Sequence, residues 1–346
     1  MPRKRRVLSG MRPTGRIHLG NFEGALKSWV SVQDEYECLY MVADWHALTD
    51  NTDTSHLPEL TFDMVADWLV AGLDPARSTL FIQSHVPEHA ELALLLSMVT
   101  PISWLERCPT FKEHFRSEKE RASLSYGLLG YPVLQAADIL IYKAEFVPVG
   151  EDQVAHLELS REITRRFNKA FGEVFPEPQP LLSRTSRLLG TDRRKMSKSL
   201  DNYISLTAEP DEIRRRTMSM ITDTKRIYRS DPGHPDECNV FAFHTLYNDP
   251  ERVEEIRRGS ATGTLPCADC KAELGDVLVR FLAPFREKRR EIESDPERVY
   301  DVLRDGTARA RRIAGRTIAE VREKCRVGGL PGTAGAAPTR RKRNAP

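Results

Sequence analysis

The chain has 346 residues, which at roughly 150 residues per domain is two domains, or one large domain with an appendage. Its 52 Lys and Arg against 50 Asp and Glu give a net charge of +2, a balance that excludes a strongly cationic histone-like chain and an acidic solvating one. Arg3, Lys4, Arg5 and Arg6 with Arg340, Arg341, Lys342 and Arg343 place eight positive charges at the two ends, leaving 44 basic against 50 acidic side chains in residues 7–326. At 40% hydrophobic and 29% charged residues the composition is that of a globular protein. No apolar run approaches the roughly 18 residues of a membrane span, and the Arg-rich start runs into Val7-Leu8-Ser9-Gly10 rather than a signal-peptide core. A cytoplasmic protein without a membrane segment is expected. Six cysteines are too few for a disulfide scaffold in a chain of this length.

In chain order, Val7-Leu8-Ser9 reads as a short strand. A Gly/Pro-rich loop follows, then Phe22, Ala25, Leu26, Trp29 and Val30 recur at helical spacing. Leu39 to Val42 is a second strand. Leu57, Leu60, Met64 and Trp68 share one face of a helix over 57–71 that Gly72 stops. Thr79 to Gln83 is a third strand. Leu92, Leu95, Leu96 and Val99 mark a helix ended near Pro101, and Val133–Tyr142 and Val154–Phe167 are two more. The alternation argues for an α/β fold with a parallel sheet covered by helices. Pro176 to Pro180 reads as loop, and beyond about residue 205 the pattern is almost entirely helical and rich in charge, which places a domain transition there. Residues 327–346 are Gly/Ala/Pro-rich with a basic end and cannot bury much surface.

Two segments carry chemistry. Pro13-Thr14-Gly15-Arg16-Ile17-His18-Leu19-Gly20-Asn21 lies between the first strand and the first helix, where a doubly wound sheet meets its ligands. Exposed helix N–H groups and Gly20 admit a phosphate or a base against the backbone, and His18 can donate to a phosphate oxygen. A plain Gly/Pro turn capped by Asn21 reads equally well from this segment alone. Lys195-Met196-Ser197-Lys198-Ser199 offers two cations and two hydroxyls to a triphosphate as its α–β bond breaks, though a solvated basic loop has the same composition.

Taken together and in this order, the two segments resemble the paired signatures of class I aminoacyl-tRNA synthetases. His18-Leu19-Gly20-Asn21 is similar to the HIGH motif with Asn in place of the second His, and Lys195 to Ser199 matches KMSKS letter for letter. Ser9-Gly10-Met11-Arg12-Pro13-Thr14-Gly15, Ala43-Asp44-Trp45-His46-Ala47-Leu48-Thr49, Tyr131-Pro132-Val133-Leu134-Gln135-Ala136-Ala137-Asp138 and Pro148-Val149-Gly150-Glu151-Asp152-Gln153 resemble the bacterial tryptophanyl branch, over about residues 7–325. The resemblance implies a Rossmann-like doubly wound parallel sheet (7–204) behind a basic extension (1–6), an all-helical anticodon-binding domain (205–326) and a disordered basic tail (327–346). It implies activation of L-tryptophan with ATP and Mg2+, transfer to tRNA(Trp), and a homodimer.

By the same resemblance, Lys195, Lys198, His18 and Asn21 are catalytic. ATP is held by Arg12, Pro13, Thr14, Gly20, Asn21, Gly150, Glu151, Asp152 and Lys195, Met196, Ser197, Lys198, Ser199. Tryptophan is held by Asp138, Gln135, Tyr131, Gln153 and His46. An indole has one N–H donor and no acceptor, so a pocket needs one acceptor aimed at it, and Asp138 suits that role. Gln135 and Asp138, at i and i+3, share a helical face. A Gln-x-x-Asp pair also resembles the tyrosyl branch, so tyrosine is the competing substrate, and a paralogue that binds tRNA or nucleotide without charging it is the alternative of another class.

Cys267-Ala268-Asp269-Cys270 and Cys238 are spaced as thiolate ligands of zinc or of an iron–sulfur cluster. They resemble a subgroup with a [4Fe-4S] cluster whose fourth Cys is Ser260 here. Serine is a poor ligand for a soft metal, and three residual thiols are the favoured expectation. Cys38, Cys108 and Cys325 read as buried thiols.

Overall fold

The computed structural model describes residues 3–49, 51–108, 111, 124–150, 154–182, 188–228 and 231–329. Five parallel strands form one sheet: β1 (Arg6–Met11), β2 (Glu37–Val42), β3 (Ser78–Ile82), β4 (Phe146–Val149) and β5 (Gln179–Leu182), in the order β3-β2-β1-β4-β5. Apolar residues run continuously from Cys38 to Val42 in β2 because both its faces are covered, and in β1 the covered pair is Val7 and Leu8. Val7, Cys38, Tyr40, Val42 and Leu80 point into one buried cluster. Their strand neighbours Leu8, Leu39, Met41 and Phe81 point into the other, as the two-residue period of a strand requires. On the first face Trp29 stacks on Tyr40 at 4.6 Å and meets Trp68 edge-on at 5.6 Å.

The helix expected over 57–71 is Leu57–Ala71, and Gly72 ends it at φ +109°. The first helix is less regular: Leu19–Asn21 runs through a π-helical turn, Phe22–Leu26, into Lys27–Ser31. Tyr126–Ile141 starts seven residues before the expected Val133, because Ser125 caps it through Oγ to the Leu128 N–H at 3.1 Å, leaving Pro132 inside the helix. β5 lies where a loop was expected. Among the described residues it pairs only with β4, and an edge position tolerates Pro180.

Beyond residue 205 the chain is helical as expected, with Pro210–Ser219, Asn239–Tyr247, Pro250–Ala261, Cys267–Ser294 and Glu297–Cys325. Leu274, Leu278, Leu282 and Ile292 of the fourth share the core of the first sheet face. The last helix wraps the β3 edge. Val299 and Leu303 join the first cluster and Ala310, Ala314, Ile318 and Val321 the second, while Arg309 donates to the carbonyls of Pro75 and Ser78 at 2.9 and 3.2 Å. No helix among the described residues is long and apolar enough to cross a membrane.

Candidate active site

β1 and β4 face each other through one residue pair, Val7 and Phe146, and then part. The strand order reverses here, and a crevice at such a point is where open α/β sheets take their ligands. A cavity of about 430 Å³ fills the gap, bounded by Ser9 and Gly10 of β1, Pro148 and Val149 of β4, Arg12, His46, and Tyr131, Gln135 and Asp138 of the helix Tyr126–Ile141.

Asp138 is 2% exposed and ringed by donors. His46 Nε2 donates to Oδ2 at 2.8 Å, while Gln83 Nε2 and His89 Nδ1 donate to Oδ1 at 2.8 and 2.6 Å. Burial alone would raise the Asp138 carboxyl, but the hydrogen bonds and fields of His46 and His89 hold it below the ordinary carboxylate range. An ionised carboxylate only accepts, so His89 carries its proton on Nδ1, and Nε2 takes the Tyr142 hydroxyl at 2.7 Å. One lone pair of Oδ2 is left toward the cavity. Gln135 Oε1 is buried and has no hydrogen-bond partner among the described residues. Tyr131 bonds His156 at 2.5 Å, and Cys108 lies 3.2 Å from the same His156 nitrogen.

The loop after β1 turns at Gly15, φ +82°, and ends in a reciprocal cap: Asn21 N–H donates to His18 Nδ1 at 3.1 Å, and His18 N–H to Asn21 Oδ1 at 3.4 Å. Asn21 thereby braces the histidine. Burial, then the charges of Lys198 and Lys195, bring the His18 pKa down to about 4, so the ring is neutral at pH 7. With Nδ1 accepting, the proton sits on Nε2, the atom free to donate.

The two signature stretches interlock. Leu19 N–H donates to the Ile204 carbonyl at 2.9 Å and Leu206 N–H to the Ile17 carbonyl at 2.8 Å. Lys198 Nζ donates to the Thr14 carbonyl at 2.5 Å. Met196 is buried, and its Sδ stands 3.2 Å from Gly20 N. A Cβ at Gly20 would lie 3.1 Å from Nδ1 of His18 and 3.2 Å from Cβ of Met196, so the absence of a side chain lets the histidine ring and the methionine approach here. Ser197 and Ser199 bond each other at 2.8 Å. Asn202, 2% exposed, shapes the loop from within, accepting the Ser197 N–H at 2.7 Å and donating to Asp192 at 2.7 Å and the Lys195 carbonyl at 3.1 Å. Burial pulls the Lys198 ammonium down to about 8, against the opposing fields of Asp67 and Asp63.

Of the candidate residues, the structure gathers Asp138, Gln135, Tyr131, His46 and Arg12 around the cavity, and His18, Gly20, Asn21, Thr14 and residues 195–199 at the interlocked loops. Gly150 follows β4, whereas Glu151, Asp152 and Gln153 lie outside the described residues. Gln83, His89, Tyr142, His156 and Asn202 escaped the sequence reading. Each is a single polar residue without motif spacing; Gln83, His89 and His156 come from other elements, Tyr142 ends the helix that carries Asp138, and Asn202 lies in the loop it shapes.

The cysteine pattern does not fit the cluster it resembles. Cys238, Cys267, Cys270 and Ser260 border a cavity of only about 20 Å³, room for about one water. Arg226 stands 3.8 Å from Cys267 Sγ, and the Ser260 carbonyl is engaged by Gly233 N–H at 2.9 Å. Among the described residues no three His, Cys, Asp or Glu side chains are arranged to hold a metal.

Residues 2–283 match the family model described as tRNA synthetases class I (W and Y). The tryptophan–tRNA ligase of Thermotoga maritima is 52% identical over 321 residues, 92% of this chain and 98% of the relative. The chain belongs to the tryptophanyl branch of the class I tRNA synthetases. The Aquifex aeolicus tryptophan–tRNA ligase is 41% identical over 92% of this synthetase and 98% of its own length. The crystal structure of Campylobacter jejuni tryptophanyl-tRNA synthetase with ADP and tryptophan superposes with a TM-score of 0.83 at 33% identity, covering 93% of this synthetase and all of that chain.

Proposed function

We propose that this synthetase activates L-tryptophan with ATP and passes it to tRNA(Trp), binding the indole in the cavity between β1 and β4. The carrying observation is Asp138: a buried, ionised carboxylate with one lone pair left, in a cavity of about 430 Å³ beside the interlocked signature loops. Its Oδ2 accepts the indole N–H. Gln135 Oε1, buried without a partner among the described residues, takes a second substrate N–H, and Tyr131 and His46 wall the slot. Three donors already fix the carboxylate, so it costs little reorganisation when substrate arrives.

ATP enters as its magnesium complex over the loop after β1, along Arg12, Pro13 and Thr14. The tryptophan carboxylate oxygen bonds to the α-phosphorus and the bond to pyrophosphate breaks, so no protein nucleophile takes part. Catalysis is positioning and charge stabilisation. Neutral His18 donates from Nε2 to a phosphate oxygen, with Asn21 holding its tautomer. Lys195 and Lys198 meet the departing pyrophosphate, and Gly150 to Gln153 hold the ribose and the amino group. A ribose hydroxyl of the tRNA terminus then bonds to the acyl carbon and AMP leaves.

The helical region 205–326 serves the anticodon, and the enzyme works in the cytoplasm, where its six free thiols stay reduced. Leu94, Met98, Ile102 and Tyr126 are 58%, 71%, 64% and 75% exposed. Four such apolar side chains from neighbouring elements suit the face of a homodimer, whose mass sedimentation equilibrium reads. Asp138→Asn tests the pocket: losing a charged hydrogen-bond acceptor is expected to raise the tryptophan KM about 10- to 100-fold, with the ATP KM within about threefold. An unchanged tryptophan KM contradicts the assignment.

A further inference from the structure

The helix Cys267–Ser294 reaches the nucleotide loop through an ionic cluster whose centre, Arg289 with Asp67, is buried. Arg289, 3% exposed, donates from NH1 to Asp67 Oδ1 at 2.9 Å and to the Asp63 carbonyl at 2.9 Å, from NH2 to the Asp63 carboxylate, and from Nε to Glu293 at 2.8 Å. Asp67 is fully buried in the helix Leu57–Ala71, and its second oxygen takes the backbone N–H of Ile17 at 2.6 Å. Ile17 immediately precedes His18, and its carbonyl holds Leu206 N–H at 2.8 Å. The next residue back is tied to the same group: Arg16 NH2 meets Glu293 at 3.1 Å and Arg16 Nε stands 3.9 Å from Asp63.

A buried ion cluster is a poor way to gain stability, since apolar residues of equal volume do as well or better. This one spends a buried carboxylate oxygen on a single peptide N–H, at the residue that aims the phosphate-facing histidine. The other charge of the site feels it too, because Asp63 and Asp67 are the carboxylates whose fields act on Lys198.

We infer that Asp67 and Arg289 are positioning residues for amino-acid activation: Arg289 orients Asp67, Asp67 fixes the Ile17 peptide, and that peptide sets His18 and the Thr14 carbonyl against which Lys198 rests. The inference rests on the synthetase reading. A shift of about 1 Å in a positioned group can slow a reaction about 100-fold, and the acceptors of the indole slot, Asp138 and Gln135, stand on the helix Tyr126–Ile141 rather than on the loop this cluster holds.

The test is pyrophosphate exchange by the full chain and its Arg289→Met, Arg289→Lys and Asp67→Asn variants, each checked for a cooperative melt. For Arg289→Met, kcat is expected to fall about 100-fold and the ATP KM to rise, with the tryptophan KM within about twofold. Arg289→Lys keeps the charge without the fork and recovers part of the rate, to about tenfold below the unaltered chain. Should Arg289→Met not fold, Arg289→Lys and Asp67→Asn read the same split. Unchanged exchange kinetics in a folded variant, or tryptophan and ATP constants drifting together, overturns the inference. Failure of the unaltered chain to exchange with tryptophan would instead refute the synthetase reading itself.

Discussion

Lys198 is the residue at which the chemistry meets pH. Burial brings its pKa down to about 8, so in the free protein it is a cation below that pH and neutral above it. Because the folded value lies below the unfolded one, the ammonium costs the fold stability at and below about pH 8, a cost that fades as pH rises toward 10.5. Its proposed role with ATP has the opposite sense, for only the cation stabilises pyrophosphate. Since kcat/KM reports the free enzyme, kcat/KM for ATP is expected to decline as pH rises through about 8 and to lose that limb in Lys198→Arg. The same limb persisting in Lys198→Arg would assign it to another group. His18 and Lys198 were legible because each sits in an ordered run whose partner lies elsewhere in the chain. His89 was not, since a lone histidine at the head of an apolar helix carries no spacing. Asp67 had a signal that went unread: three positions after Met64, it lies on the helix face expected to be buried, and a carboxylate there demands partners.

Among the elements, the last helix lies close against β3. A Cβ on Gly306 would stand 1.7 Å from the Leu80 carbonyl oxygen, so only glycine lets Glu297–Cys325 lie against β3 and cover its unpaired edge. Gly306→Ala is expected to cost about 2–3 kcal/mol or more through displacement of the helix, read as a lowered midpoint in urea. A change under about 0.5 kcal/mol would mean the edge is held otherwise. That glycine was invisible in the sequence, because a single Gly within a helical pattern says nothing of what approaches it. The short apolar runs of β1 to β3 and the apolar face of Leu57–Ala71 were readable, because both are local features of the chain. β5 was hidden by its four residues and by Pro180, and the π-helical turn at Phe22–Leu26 has no compositional mark.

At the scale of the whole molecule, the helical second half shares buried residues with one face of the sheet. Leu274, Leu278 and Leu282 share a buried cluster with Val7, Trp29 and Trp68, and Arg289 carries that contact into the nucleotide loop. Helix-rich composition beyond residue 205 was plain from the sequence, but docking is a long-range matter that apolar spacing cannot address. The cavity at the point where strand order reverses follows from topology: β1 and β4 part, and the residues on their two ends face a common space. On the proposed reading the fixed acceptor Asp138 selects the ring by the place of its donor, and tyrosine, whose hydroxyl lies farther out on a narrower ring, does not meet Asp138 and fill the slot at once. Tryptophan-dependent exchange of pyrophosphate into ATP, compared with tyrosine, tests this most directly. The expected result is exchange with tryptophan, and with tyrosine at least about 10³-fold less in kcat/KM. Equal efficiency with both amino acids, or none with tryptophan, would contradict it.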